Sequence, residues 1–408
     1  MSDIQFNENF NKLIQPLIDN SLASFGKSLK QIFEEREREL KMSRSQLEKL
    51  LNIEKKTLNG ILDKTTKRVD LVNILKLAVF LNLKTDQLIE LYINEMSPDL
   101  VGEIEKTRKS NYLASNFDLE QLYKIKFLSK RNSILQIENK LINFFGLRNI
   151  FEYTHNFQYP VFSRPKSNSN NKMRDFWIKS AIIQFEMINN SNTYDRQALV
   201  ELIPKIKPYT MNIEKGLMIV ARALYNIGVT VIFQRSLPSV SVRGATMVLN
   251  GKPCVIITDL YKRYPTLWFA LMHEIHHVLY DIDELKQKTY HLSGEPDLFL
   301  LNEDAANGFA RNYFLNEEKT QYIAPLIKNE FLVNEYAKKI QIHPSIIYQF
   351  IMHDRKELSV RNAYNQIYNK RTSEDVKLAL KNFNMNPWEK NTILEAVEEL
   401  KKTVYNLN

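Results

Sequence analysis

The 408-residue chain has one cysteine, ten glycines and seven histidines. A lone cysteine excludes an internal disulfide, and Cys254, in an apolar run, reads as a small buried residue of a strand. No apolar run approaches the roughly 20 residues needed to span a bilayer. Met1-Ser2-Asp3-Ile4-Gln5-Phe6 lacks a basic and then apolar leader pattern, so the expectation is a cytoplasmic protein without a membrane partner. Internal repeats, a P-loop and coiled-coil heptads are also missing.

What is present is the composition of a globular protein, 25% charged and 44% apolar. The length exceeds one ordinary core and implies two to four domains. The net charge of +9 is modest, so its distribution is more informative than its sum. Between Lys41 and Arg68 stand eight basic residues (Lys41, Arg44, Lys49, Lys55, Lys56, Lys64, Lys67, Arg68) and three acidic ones (Glu48, Glu54, Asp63). A basic surface confined to one short stretch suggests a docking face for phosphates.

Three of the seven histidines fall within five residues, in Trp268-Phe269-Ala270-Leu271-Met272-His273-Glu274-Ile275-His276-His277-Val278-Leu279-Tyr280. This apolar, helix-compatible run contains His-Glu-x-x-His. Residues four apart share a helix face, so His273 and His277 can offer two imidazole nitrogens to one Zn²⁺, with Glu274 beside them to handle a water proton. His276 sits about 100° round the helix from His277 and is expected to face away, toward the outer surroundings or solvent.

A catalytic zinc needs a third protein ligand and an open fourth position. Downstream, Ala306, Phe309, Ala310 and Tyr313 follow the spacing of a buried helix face, and Glu303 lies one turn earlier on that face. A second helix crossing the first would bring this carboxylate to the metal.

This region resembles the ImmA/IrrE family of metallo-endopeptidases, specifically its larger members with a helix-turn-helix domain in front. The resemblance rests on His273 to His277, on Glu303-x-x-Ala306-Asn307-x-Phe309-Ala310, and on three apolar segments before them: 228–233, 243–249 and 252–257. It implies one Zn²⁺ per chain bound by His273, His277 and Glu303, with Glu274 as general base, in a small α+β zincin-like protease domain. Many family members have glycine where His276 stands and a Leu-x-Pro-like ending where residues 311–315 stand. Oxyanion stabilisation needs a further donor, and His291, Tyr290, Tyr313 and His353 are candidates that sequence does not rank.

The N-terminal pattern adds a second module. Leu29, Ile32, Phe33 and Leu40 mark an amphipathic helix, and Ser43 with Gln46 forms a capping-box signal for the next. Asn52-Ile53 reads as a short turn before a helix over 54–62, with further helices over 70–81 and 85–92. This arrangement resembles the phage-repressor, XRE-like helix-turn-helix domain and implies a double-stranded DNA operator as partner. In that reading 54–62 is the recognition helix, with Lys55, Lys56 and Asn59 near bases or phosphates, and Arg44, Lys64, Lys67 and Arg68 gripping the backbone.

The expected fold class is therefore mostly α, with an all-α helix-turn-helix domain over 1–97, a helical connector over 98–172, the metallopeptidase domain over 173–370 and a helical tail over 371–408. A polar break at 163–172 suggests an exposed loop, Asn250-Gly251 a two-residue hairpin, and Asn386-Pro387-Trp388-Glu389 the start of a helix reaching about Val404. The sheet is expected to offer an edge strand beside the zinc helix, along which a substrate chain could pair.

Three functions compete. The leading one is a DNA-binding regulator fused to a zinc endopeptidase that cleaves a repressor, a toxin-antitoxin partner or itself, relieving repression in a stress, toxin-antitoxin or phage-defence setting. The second is a non-catalytic repressor or antitoxin whose metallopeptidase-like domain is a sensing or partner-binding scaffold. The third is a protease whose front domain recognises protein. Repressor-type domains often read paired half-sites as dimers, and a homodimer is expected on that ground.

Overall fold

The computed structural model describes residues 28–66, 69–84, 87–88, 91, 98–155, 171–237, 240, 242–288, 290–293, 303–383 and 386–406. The chain divides into two compact units between Asn111 and Tyr112.

In the first unit, α1 (Leu29–Leu40) opens on a complete capping box. Ser28 donates its N–H to Gln31 Oε1 at 2.7 Å, and its Oγ accepts the Gln31 N–H at 3.1 Å. At α2 (Arg44–Leu51), the Ser43 N–H donates to Gln46 Oε1 at 2.8 Å. Asn52, left-handed at φ 48°, turns the chain toward α3 (Lys55–Leu62). Asp70 starts α4 (Leu71–Phe80) by accepting the Val72 N–H at 2.8 Å. Phe33, Leu47, Leu58 and Leu77 bring the four helices onto one small core. Most of the helix expected over 85–92 lies outside the described residues.

Next along the chain come α5 (Pro98–Asn116), α6 (Leu119–Lys124), α7 (Ile134–Phe145), α8 (Glu152–His155), α9 (Asn171–Ile188), α10 (Arg196–Ile206) and α11 (Gly216–Asn226). Of the polar break expected over 163–172, residues 163–170 lie outside the described residues, while 171 and 172 already belong to α9.

The structure draws no core boundary where the sequence suggested a connector, a protease body and a tail. Phe144 of α7 stacks on Phe176 of α9 with centroids 5.8 Å apart, and Phe176 lies 6.5 Å from Trp388. These rings belong to one continuous apolar core. Near the chain's end, the Tyr405 hydroxyl accepts the Val231 N–H at 3.2 Å and donates to the Val231 carbonyl at 2.5 Å. The last residues thus satisfy backbone groups of the sheet that would otherwise be buried unpaired.

The sheet comprises β1 (Thr230–Phe233), β2 (Gly244–Leu249), β3 (Lys252–Ile257) and β4 (Tyr290–Ser293), in the order β1-β3-β2-β4. β1 and β3 run parallel; β2 is antiparallel to both neighbours. Asn250 (φ 53°) and Gly251 (φ 76°) form the predicted hairpin turn between β2 and β3. Every residue of β2 is buried. Because successive side chains point to opposite faces, the sheet must be covered on both. β4 was not anticipated, and its pairing makes β2 an internal strand.

The remaining helices are α12 (Tyr264–Tyr280), α13 (Ile282–Lys288), α14 (Glu303–Leu315), α15 (Glu317–Ile323), α16 (Glu330–Lys339), α17 (Pro344–Arg355), α18 (Leu358–Tyr364), α19 (Lys370–Leu380) and α20 (Ile393–Leu400). α12 is buried almost all round and packs on β2, β3 and α14. Ala306 and Ala310, fully buried on α14, allow its backbone to approach α12 closely. The tail helix begins later than predicted. Pro387–Glu389 makes only a 3₁₀ turn, Lys390 is extended, and Thr392 caps α20 by accepting the Glu395 N–H at 3.2 Å. No helix among the described residues is long and apolar enough to cross a membrane.

Candidate metal centre and DNA-binding domain

His273 and His277 lie one turn apart on α12, both buried, with their Nε2 atoms 3.2 Å from each other. Glu303, the first residue of α14, faces the pair. Its Oε2 is 3.5 Å from His273 Nε2 and its Oε1 3.5 Å from His277 Nε2. Tetrahedral bonds of about 2.0–2.1 Å to one zinc ion would place donor atoms about 3.3–3.4 Å apart. The three side chains therefore match the spacing of a shared metal, and their two imidazoles and one carboxylate suit zinc.

Asp281 was not anticipated. Its Oδ2 lies 2.7 Å from His277 Nδ1, four residues along the same helix face. An ionised carboxylate only accepts, so Nδ1 carries the proton and Nε2 keeps its lone pair for a cation. In the absence of a cation, burial pulls the His277 imidazole down, but the carboxylates of Glu303, Glu274 and Asp281 outweigh it and raise its pKa to about 9. His276 is buried, not solvent-facing. Its ring packs against Tyr280 at 4.8 Å and Phe309 at 5.5 Å, and its Nδ1 is 3.7 Å from Asp281. Burial, and then the neighbouring His277, lower its pKa.

Glu274 has no exposed surface. Thr246 of β2 donates its hydroxyl to Glu274 Oε2 at 2.7 Å, while Oε1 is buried without a hydrogen-bond partner among the described residues. The backbone of β2 lies directly against this carboxylate. A Cβ at Gly244 would sit 2.4 Å from Glu274 Oε1, which only the absence of a side chain permits. Thr246 and Gly244 could not be assigned from sequence because their roles depend on how β2 lies against α12. Asp281 carried a signal, the i+4 spacing from His277, that was not used.

The four candidate oxyanion donors separate. Tyr313 donates its hydroxyl to the Ile203 carbonyl at 2.7 Å, so that proton is engaged. His353 is largely exposed and stands 3.8 Å from Asp354. Tyr290 and His291 lie on β4, where His291 pairs in register with Thr246 and Tyr290 with Met247. Register thus brings His291 opposite the residue that holds Glu274.

In the first unit, Lys55, Lys56 and Lys64 are exposed and Asn59 is half-buried. Arg44 is held within the domain, its guanidinium 4.6 Å over the Phe33 ring and 3.6 Å from Glu37 Oε2. Lys67 and Arg68 lie outside the described residues. Gly60 is another close approach, since a Cβ there would meet Thr66 Oγ1 at 2.0 Å.

No curated protein and no solved structure matches the chain. Residues 35–92 match the family model of the Cro/C1-type helix-turn-helix DNA-binding domain. That stretch spans α2 and α3 and the turn between them, so the chain carries the DNA-binding domain of a transcription regulator.

Proposed function

We propose that this chain is a transcription regulator whose second unit is a zincin-like, zinc-dependent endopeptidase of the ImmA/IrrE type. The observation that carries the reading is the convergence of His273 Nε2, His277 Nε2 and the Glu303 carboxylate at metal-ligand spacing, beside a wholly buried Glu274. His273, His277 and Glu303 would hold the ion. When bound, zinc supplies Lewis acidity, polarising a peptide carbonyl and making a water easier to deprotonate.

The chain's own residues carry the proton. Glu274 takes it from the water as the water oxygen bonds to the peptide carbonyl carbon, and gives it to the amine as the carbon–nitrogen bond breaks. Thr246 fixes one carboxylate oxygen and leaves the other to accept that proton. Asp281 holds His277 in the tautomer that leaves Nε2 open. Burial of Glu274 keeps bulk water from screening its charge.

The substrate is a repressor, a toxin-antitoxin partner or the chain itself, and its cleavage relieves repression in a stress, toxin-antitoxin or phage-defence setting. Metal content tests the reading. Elemental mass spectrometry of the full chain should find close to one zinc per chain, lost in His273→Ala and Glu303→Ala and retained in Glu274→Gln. No zinc, and none taken up on addition, would sink it. Biological activity unchanged in Glu274→Gln would favour a scaffold role instead.

A further inference from the structure

A cavity of about 730 Å³ opens beside the metal centre. Part of its wall comes from the two helices that carry the metal ligands, and part from the strand that faces Glu274. Phe269 and Ala270 stand about one turn before His273 on α12, Asn307 one turn after Glu303 on α14, and Arg243 immediately before Gly244 on β2. A polypeptide lying across His273 and Glu303 would therefore place a neighbouring side chain in this cavity.

The cavity carries an excess of positive charge. Among the described residues, three guanidinium groups line it, those of Arg243, Arg263 and Arg311, against one carboxylate, that of Asp354. Arg311 takes that carboxylate in an ion pair. Among the described residues Arg263 meets neutral groups, the Gln349 Oε1 at 3.4 Å and the Tyr364 ring at 5.3 Å. Arg243 has no side-chain ion pair among the described residues. Two half-buried cations thus have no carboxylate partner among the described residues, in a concave site where water screens them less than at an open surface. The planar guanidinium fork matches a carboxylate by two parallel hydrogen bonds.

We infer that this cavity is a specificity subsite that takes an Asp or Glu side chain of the polypeptide substrate next to the bond to be cleaved, with Arg243 and Arg263 as its anion-binding residues. The inference rests on the peptidase reading, because only a polypeptide crossing the metal centre presents its side chain there. A single charge-assisted pair of this kind is enough to give about a tenfold preference over an uncharged amide.

The test uses a degenerate mixture of end-capped hexapeptides, passed over the immobilised full chain after its metal has been removed with chelator. Peptides retained by the wild type should be enriched about tenfold in Asp or Glu. The enrichment should vanish in the Arg243→Gln/Arg263→Gln double variant and persist, weakened, in Arg243→Lys/Arg263→Lys, which keeps both charges. Circular dichroism melting checks that each variant is folded. Absence of acidic enrichment in the wild type, or enrichment that survives the glutamine pair, overturns the inference. Adding zinc and following hydrolysis by mass spectrometry separates the two readings. Acidic enrichment without hydrolysis leaves only an acidic-peptide-binding cavity and overturns the peptidase reading and with it the specificity role; hydrolysis without acidic preference overturns the subsite and leaves the peptidase.

Discussion

Asp281 Oδ2 accepts a 2.7 Å hydrogen bond from Nδ1 of His277, and this one contact decides which ring nitrogen of His277 is free to bind a cation. A metal-ligand histidine without such a partner turns and changes tautomer more easily. Asp281→Ala is therefore expected to weaken zinc binding about 10–100-fold while the fold persists. Titration against a competing chelator measures it, and unchanged affinity would mean the carboxylate does not orient the ring.

Thr246 offers a second control on the same centre. Its hydroxyl is the hydrogen-bond donor to a carboxylate with no exposed surface. Thr246→Val keeps the shape but strips Glu274 of that donor, which should lower unfolding free energy by about 1–3 kcal/mol. Thr246→Ser should restore most of the loss. Urea denaturation of the three proteins gives the comparison, and equal stability of valine and threonine forms would refute it.

His343 predicts a pH dependence remote from the metal centre. It caps α17, its Nδ1 accepting the Ser345 N–H at 3.3 Å and lying 2.7 Å from the Ser345 hydroxyl. Burial, with the positive charge of Arg371, lowers its pKa from 6.5 to about 4. The folded protein thus holds the neutral ring, and protons bind the unfolded chain first. This contribution to stability is whole above pH 6.5 and is lost as pH falls toward 4, by up to about 3 kcal/mol. His343→Asn keeps a good cap and should flatten that part of the stability profile. Thermal melts between pH 7 and pH 4, followed on wild type and variant, would refute the assignment if both lose stability alike.

The DNA-binding domain predicts a salt effect. Lys55 and Lys56 are exposed at the start of α3. If both neutralise phosphates, replacing both by alanine should weaken operator binding and lower the slope of log K against log salt by about 2. Anisotropy titrations at several salt concentrations would show this, and a slope unchanged in the double variant would mean that α3 does not approach the backbone.

Much of this protein is legible locally. The period of a helix alone puts His273 and His277 on one face and Glu303 in line with Ala306. Asn250-Gly251 announces its turn because both positions need positive φ, and Ser43 with Gln46 announces a helix start because the two groups satisfy each other. β4 escaped notice because four residues carry too little pattern to mark a strand, and the tail helix was placed too early because Pro387 starts a 3₁₀ turn as readily as an α-helix.

What sequence determined, then, was set by interactions within a few residues: helix faces, caps, the hairpin, and the shared face of the two histidines proposed as metal donors. Tertiary structure alone decided what lies across from them. The pairing of β2 between β3 and β4, and its packing on α12, bring Thr246 and Gly244 to Glu274; the same fold gathers Arg243, Arg263 and Arg311 around one cavity and ties Tyr405 to β1. The hydrogen bond from Thr246 to Glu274 spans 28 positions and that from Tyr405 to Val231 spans 174. Such meetings follow from the shared burial of apolar surface over the whole unit, which no local spacing encodes.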